Sequence, residues 1–281
     1  MTRRVAACAL ATLALLASAA PAAGQGTGPI GADALWAWSW DSPEELAGFA
    51  ADAGFARVHL YSQGGFDAKV RSAIAALSAR GIAVEALGGE KRWATTQRRD
   101  MLRFVRSAVR YQRSAPPGLR LAGIHVDIEP YDLASWERDQ RAVAESLAAA
   151  LRDARRAAGP LPLSADIPAW FDGIRMRGGE SLAELAMRST DATTIMAYRD
   201  SAAEVIDAAR REVRIATELG RPTTLAVETA AVRPRAVTFF EEGRTALIRA
   251  LARIRAEFGR RSGFAGIAVH HYGSLRGLPN G

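Results

Sequence analysis

The strongest constraint in this sequence is a rhythm. Short apolar runs of strand length alternate with longer amphipathic stretches at residues 34–40, 56–61, 83–87, 121–129, 161–167, 193–198, 224–228 and 266–272. Parallel strands covered on both faces read as near-continuous apolar runs, and each needs a helical crossover to the next. Eight such units predict an α/β fold, one closed (β/α)8 TIM barrel rather than an open sheet. The helical stretches carry matching punctuation. Ser42-Pro43-Glu44-Glu45 supplies an N-cap, a first-turn proline and early acids, while Gly54, Gly81, Gly159 and Gly220 stand at helix stops. Residues 274–281 are too few for a full closing helix, so the last helix is expected to be short or missing.

The N-terminus reads as an export signal. Arg3 and Arg4 precede an apolar run over residues 5–16 and small residues over 17–23, with Ala-x-Ala sites ending at Ala19 and Ala22. The domain organisation expected is a signal peptide over 1–23 and one barrel over 24–281, placed outside the cytoplasm, in the periplasm, the cell envelope or the medium. Removing residues 1–23 takes two arginines and no acid from a net charge of +7, leaving +5, and also removes Cys8, the sole cysteine. A mature chain without cysteine has no disulfide, so its stability must come from a packed core. No later stretch is long and uncharged enough for a stable membrane span. The basic residues are almost all arginine, with Lys69 and Lys91 the two lysines. Basic runs such as 152–156 and 249–261 are interspersed with acids on outer helices, which reads as solvated surface and not as a nucleic-acid face.

In a closed barrel the reactive groups gather where strands end and the following loops begin. The fourth run ends His125-Val126-Asp127-Ile128-Glu129-Pro130. Period-two alternation turns Ile124, Val126 and Ile128 to the helices and His125, Asp127 and Glu129 to the barrel axis. Three ionisable groups in succession on a buried face are costly unless paired or functional. Other runs add to the same rim: His59 and Tyr61 from the second, Asp166 from the fifth, Tyr198 and then Asp200 from the sixth, Glu228 from the seventh, His270 and Tyr272 from the eighth. Trp40 and Trp170 lie nearest strand ends and are the better candidates for sugar stacking, whereas Trp36 and Trp38 read at least as well as core. Paired carboxylates under aromatic rings suit glycosidic bond cleavage, in which one carboxyl must be protonated and another ionised.

Gly123-Ile124-His125-Val126-Asp127-Ile128-Glu129-Pro130 resembles the strand-four signature of the family-18 glycoside hydrolases, the chitinase-like barrels. Asp127 and Glu129 match the last two acids of that signature, and His125 stands in place of its first Asp. Met196-Ala197-Tyr198 resembles the same superfamily's strand-six Met-x-Tyr, whose Tyr supports the substrate's N-acetyl group. Arg199 intervenes before Asp200, and His270-His271-Tyr272 replaces a strand-eight Trp. Glu129-Pro130 also resembles part of the Asn-Glu-Pro of retaining glycosidases with catalytic Glu on strands four and seven, with Ile128 in place of the Asn. That second resemblance implies Glu228 as nucleophile. Both imply Glu129 as the proton donor. They differ on its partner, Asp127 with Tyr198 in one case and Glu228 in the other.

The function expected is therefore a secreted glycosidase, monomeric and without cofactor, acting on a polysaccharide or oligosaccharide. Its catalytic residues are Glu129, Asp127 and Glu228, and its substrate-binding residues are Tyr198, Asp166, Trp40, Tyr61, His59, Trp170, Asp200, His270 and Tyr272. Two rivals remain open. A metal-dependent hydrolase would use inward His59, His125 and His270 with Asp166 or Asp127, but no close His-x-His or His-x3-His spacing supports it, and no metal is expected. A non-catalytic carbohydrate-binding barrel would explain His125 in place of an acid, but sugar binding alone does not need Glu129.

Overall fold

The structure, a computed structural model, describes residues 30–281; the export signal expected over residues 1–23 lies outside the described residues. Eight parallel strands pair in chain order and close on themselves. They are β1 Ala34–Ala37, β2 Arg57–Tyr61, β3 Ala83–Gly89, β4 Gly123–Asp127, β5 Leu163–Pro168, β6 Ala192–Met196, β7 Thr223–Glu228 and β8 Phe264–His270. The helices between them are α1 Pro43–Asp52, α2 Ala68–Ser78, α3 Arg98–Ser114, α4 Ala134–Arg138, α5 Gln140–Ala158, α6 Leu182–Ser189, α7 Ala202–Leu219 and α8 Gly243–Phe258. The expected (β/α)8 barrel is what forms, and α9 Tyr272–Arg276 is its short final helix. Among the described residues, no helix is long and apolar enough to cross a membrane.

Alternation along the strands divides the interior in two. Outward residues such as Leu35, Val58, Val84, Ile124, Ala165, Ile195, Leu225 and Ile267 pack beneath the helices in one continuous apolar layer. Removing that area from water supplies most of the folding free energy. The apolar group inside the barrel is much smaller: Ala34, Trp36, Leu87, Ala226 and Ala268. Polar side chains fill the remaining interior, including His59, Glu85, His125, Ser164, Asp166, Thr194 and Glu228. The seam is short, since β1 meets β8 through Ala34↔Ala268 and Leu35↔Val269 alone. Asp33 reinforces it: its Oδ2 accepts from the Ile267 N–H at 2.8 Å and from Arg255 at 2.6 Å. Glycine is required at 266, where a Cβ would lie 2.4 Å from that oxygen.

Four strands, β1, β4, β6 and β8, end two or three residues earlier than their apolar runs suggest, and at β1 and β8 a helix cap is the reason. β1 stops at Ala37, after which the chain bends toward α1, where Ser42 Oγ accepts from the Glu45 N–H at 3.2 Å. Trp38 and Trp40 are therefore loop residues. β8 stops at His270 because His271 already caps α9, its Nδ1 accepting from the Gly273 N–H. Both outcomes are capping chemistry overriding apolar periodicity.

One helix carries a buried acid. Glu212 on α7 is fully buried, and neither carboxyl oxygen has a hydrogen-bond partner. Burial, and then the nearby Asp172, push its pKa up to about 8. In the unfolded chain the group ionises near pH 4.3, so the unfolded state releases its proton first and stability falls as pH rises between the two values. Glu212→Gln is expected to gain about 2 kcal/mol or more over wild type above pH 8, with the gain fading toward pH 4. Thermal melts at both pH values check this, and equal differences at both would overturn it.

Candidate active site

Strand register sets the heights of the inward groups. His59 pairs with Glu85, and Leu87 with His125, which in turn pairs with Ser164. Asp127 pairs with Gly89 one inward step higher, at the end of β4. The polar interior therefore forms two tiers, a closed lower tier around His125 and an open upper tier around Glu129.

The lower tier is a chain of charged contacts. His125 Nε2 lies 2.8 Å from Asp166 Oδ1, its Nδ1 lies 3.3 Å from Glu85 Oε2, and Ser164 Oγ is 2.8 Å from the same Nδ1. Arg57, at the start of β2, reaches Glu85 Oε1 at 3.3 Å. Burial works against a charged His125, but the carboxylates of Asp166 and Glu85 outweigh it and push the pKa up to about 10. His59 packs against the His125 ring with centroids 3.9 Å apart and the ring planes tilted by 37°. Burial, and then His125, push His59 down to about 4. Burial would raise Glu85, yet His125, His59 and Arg57 together hold it well below the usual carboxylate range.

The upper tier is the acid cluster. Burial, and then Asp166 and Glu129, hold Asp127 well above the usual carboxylate range. Burial also raises Glu129, against a hydrogen bond donated by the Tyr131 hydroxyl. Two adjacent carboxyls facing a third anion resist joint ionisation, so the Asp127–Glu129 pair retains a proton. Half-buried Tyr198 faces all of them. Burial and the negative groups Glu228, Asp166, Asp127 and Glu129 keep its phenol protonated.

Glu228 behaves differently. Its Oε1 accepts from the N–H groups of Thr229 and Ala230, both at 2.7 Å, and its Oε2 lies 2.7 Å from His270 Nδ1. Burial would raise it, but His270 and these backbone donors lower it. His270 Nε2 in turn accepts from the Trp38 indole N–H at 2.9 Å. An indole N–H only donates, so the proton on His270 sits on Nδ1, facing Glu228.

Aromatic rings flank the acids on two sides. Trp170, 45% exposed, leans on Tyr131 with ring centroids 5.3 Å apart and on Trp136 and Phe171 behind it. Tyr61 is at the surface beside Trp38, at 5.7 Å between centroids. Trp38, Trp40, Tyr61 and Lys69 also line a cleft of about 270 Å³. Larger hollows lie between the arginine-rich outer faces of α7 and α8 and contain none of the strand-end acids.

The barrel thus assembles Glu129, Asp127, Tyr198, Glu228 and His270 at one mouth, with Trp170 and Tyr61 at its edges and Asp166 directly beneath. Four expected contacts are placed elsewhere. His59 is buried in the lower tier, because its position on β2 lies a layer beneath the rim. Trp40 packs into the outer core with Lys69 over its ring at 5.3 Å and presents only an edge to the cleft beside Trp38 and Tyr61, because β1 has already ended. Tyr272 opens α9 and packs against Phe49 of α1 at 5.4 Å. Asp200 stands just before Ser201, the N-cap of α7, half-exposed and outside the ion pairs of the acid cluster. Trp38, which read from the sequence at least as well as core, stands in the site, and two contributors were not anticipated: Tyr131 and Glu85. Glu85 did leave a signal, a lone acid at an inward position of the third apolar run. Tyr131 left none, since a 3-10 turn over Pro130–Asp132 brings its hydroxyl back to Glu129.

No protein-family model matches the chain, and no curated protein matches it in sequence. Its fold is shared with solved structures. A GH18 chitinase from Pseudoalteromonas aurantia is 14% identical, covering 86% of this chain and 94% of that one, with a TM-score of 0.56. A class V chitinase from Nicotiana tobaccum in complex with NAG4 is 12% identical, covering 85% and 93%, with a TM-score of 0.54. A Toxoplasma gondii protein assigned as a deoxyribose-phosphate aldolase is 13% identical, covering 88% and 90%, with a TM-score of 0.53. At such identity the likeness is one of fold, and it extends to more than one chemistry.

The double glycine that ends β3 makes room for the site. A Cβ on Gly89 would lie 2.7 Å from the Asp127 carbonyl oxygen, 3.1 Å from Asp127 Cβ and 3.4 Å from Trp38. Gly89→Ala is expected to cost about 1–3 kcal/mol of stability by overpacking, measured by urea unfolding. A change below ~0.5 kcal/mol would show that the contact relaxes freely.

Proposed function

We propose that this protein is an exported glycoside hydrolase acting on a polysaccharide or oligosaccharide, with Glu129 as the general acid. The observation that carries this reading is the Asp127–Glu129 pair at the carboxyl end of β4, buried so that it retains a proton, with the Tyr198 phenol in the field of both and its ring 6.0 Å from that of His270. A protonated carboxyl at the mouth of a barrel supplies what a glycosidic oxygen needs as it leaves. Exposed Trp170 next to Tyr131 offers a flat face for a sugar ring. The chitinase likeness in fold, one member of which is complexed with NAG4, supports the same substrate class.

In this mechanism Glu129 gives its proton to the glycosidic oxygen as the bond from that oxygen to the anomeric carbon breaks. Positive charge then develops on the sugar. Glu228 is poorly suited to attack that carbon, because hydrogen-bond donors already occupy both of its oxygens. It serves as the anchor that fixes His270, and through it Trp38. Asp127 and Tyr198 instead orient a neighbouring acetamido oxygen of the substrate, which forms the transient bond to the anomeric carbon. Ionised Glu129 then takes a proton from the water that opens the cyclic intermediate, and the acid is restored.

Three measurements test this reading. Glu129→Gln is expected to lower kcat by about 10²–10⁴-fold while leaving oligosaccharide binding intact; turnover near wild type on every substrate that binds would refute the assignment. Because Glu129 must be protonated and its pKa is raised, kcat/KM should fall on an alkaline limb lying above the ordinary carboxylate range, and that limb should vanish in Glu129→Gln. Trp170→Ala should raise KM roughly tenfold, the loss of about 1.4 kcal/mol of binding, with little change in kcat.

A further inference from the structure

We propose that His59, Glu85 and His125 form a buried divalent-cation site of zinc type in the lower tier of the barrel. The three inward side chains come from adjacent strands β2, β3 and β4, and one ligand atom from each lies within 4.8 Å of the other two. His59 Nδ1 is 3.0 Å and His125 Nδ1 is 3.3 Å from the same oxygen, Glu85 Oε2. Neighbouring ligands around a tetrahedral zinc ion, with bonds of about 2.0–2.1 Å, stand roughly 3.3–3.5 Å apart. Two of the three donor pairs thus already stand near ligand spacing, and the two histidines, each with an atom within 4.8 Å of the other, close on a cation by a small further approach. Ser164 Oγ, 3.1 Å from Glu85 Oε2 and 2.8 Å from His125 Nδ1, is placed for the fourth position, directly or through a water.

His59 supplies the independent observation. It is fully enclosed, and neither ring nitrogen has a hydrogen-bond partner; the approach of Nδ1 to Glu85 is close but not aligned for one. Buried polar atoms left unpaired are costly, and two on one imidazole call for a partner. An imidazolium at His125 between Asp166 and Glu85 would balance the charges of the tier, yet it leaves His59 unpaired. A cation on Nδ1 of both rings engages His59 and replaces the proton on His125 Nδ1, which leaves to solvent.

The outer partners match this arrangement. Asp166 holds His125 Nε2 at 2.8 Å, fixing its proton there and directing Nδ1 inward, while Arg57 holds the other oxygen of Glu85 at 3.3 Å. Carboxylates and donors behind the ligands orient them in this way at metal sites. All the proposed ligands are buried, which points to a structural cation bound during folding and exchanging slowly.

The test uses the full chain, refolded with zinc sulfate or with EDTA. Stoichiometric zinc by atomic emission is expected, with a Tm about 5–10 °C higher than the EDTA form when zinc is in hundredfold excess over its dissociation constant. Cobalt chloride in place of zinc should give the visible absorption of a tetrahedral nitrogen and oxygen site. His59→Phe keeps the ring packing but removes the ligand, and it should abolish the zinc-dependent Tm shift. Refolded wild type that takes up no zinc and shows no cobalt bands overturns the proposal, as does His59→Phe with metal content and cobalt spectrum unchanged. These readouts do not involve hydrolysis, so they stand or fall apart from the enzymatic reading.

Discussion

The contact on which the interior depends is the one between His125 and Asp166. It joins β4 to β5 at the barrel axis, 2.8 Å between two groups that are almost wholly enclosed. Each alone would be a severe burden in a dry interior. Together they fix the orientation of the imidazole below and keep a negative charge beneath the acid cluster above. Arg57, Glu85 and Ser164 extend the chain toward the lower end of the barrel, so a column of paired polar groups replaces the apolar layers that usually fill such a barrel. Removal of one member would leave its partner buried and uncompensated, whereas the apolar layer under the helices can lose a methylene and relax in part.

The column divides the roles of five acids that composition alone cannot tell apart. Glu85 is held ionised by the cationic and donor groups around it. Asp166 is committed to His125. Glu228 is held by two backbone N–H groups and His270. Asp127 lacks such partners, Glu129 has the Tyr131 hydroxyl, and burial and the field of Asp166 outweigh it, so the pair keeps a proton. A proton kept on a buried carboxyl thus follows from how few donors reach it as much as from how many carboxyls stand together.

Departures at the rim follow from the same tiers. His125 cannot repeat the role of a carboxyl at that position, because it bridges Asp166 and Glu85 rather than facing the mouth. His270 stands where the chitinase-like resemblance would place a Trp, and Trp38 from the β1 loop reaches across to bond it. An aromatic wall is therefore kept at that corner, but it is anchored by Glu228 instead of growing from β8.

The alternation of apolar runs by itself determined the barrel, its strand order and the inward face of β4, because a parallel sheet covered by helices allows few other solutions for eight such units. It also made Glu129 and Asp127 legible, since period two along a strand is a local property. It did not determine where each run stops pairing. Capping at Ser42 and His271 ended β1 and β8 early, and so Trp40 and Tyr272 went to the outer packing and Trp38 to the site. Nor did it determine which inward groups meet. Strand stagger lowered His59 onto Glu85 and His125, and a 3-10 turn folded Tyr131 back onto Glu129. Those are contacts between segments distant in sequence or turned back on themselves, and only closure of the barrel fixes the heights at which such side chains share one interior.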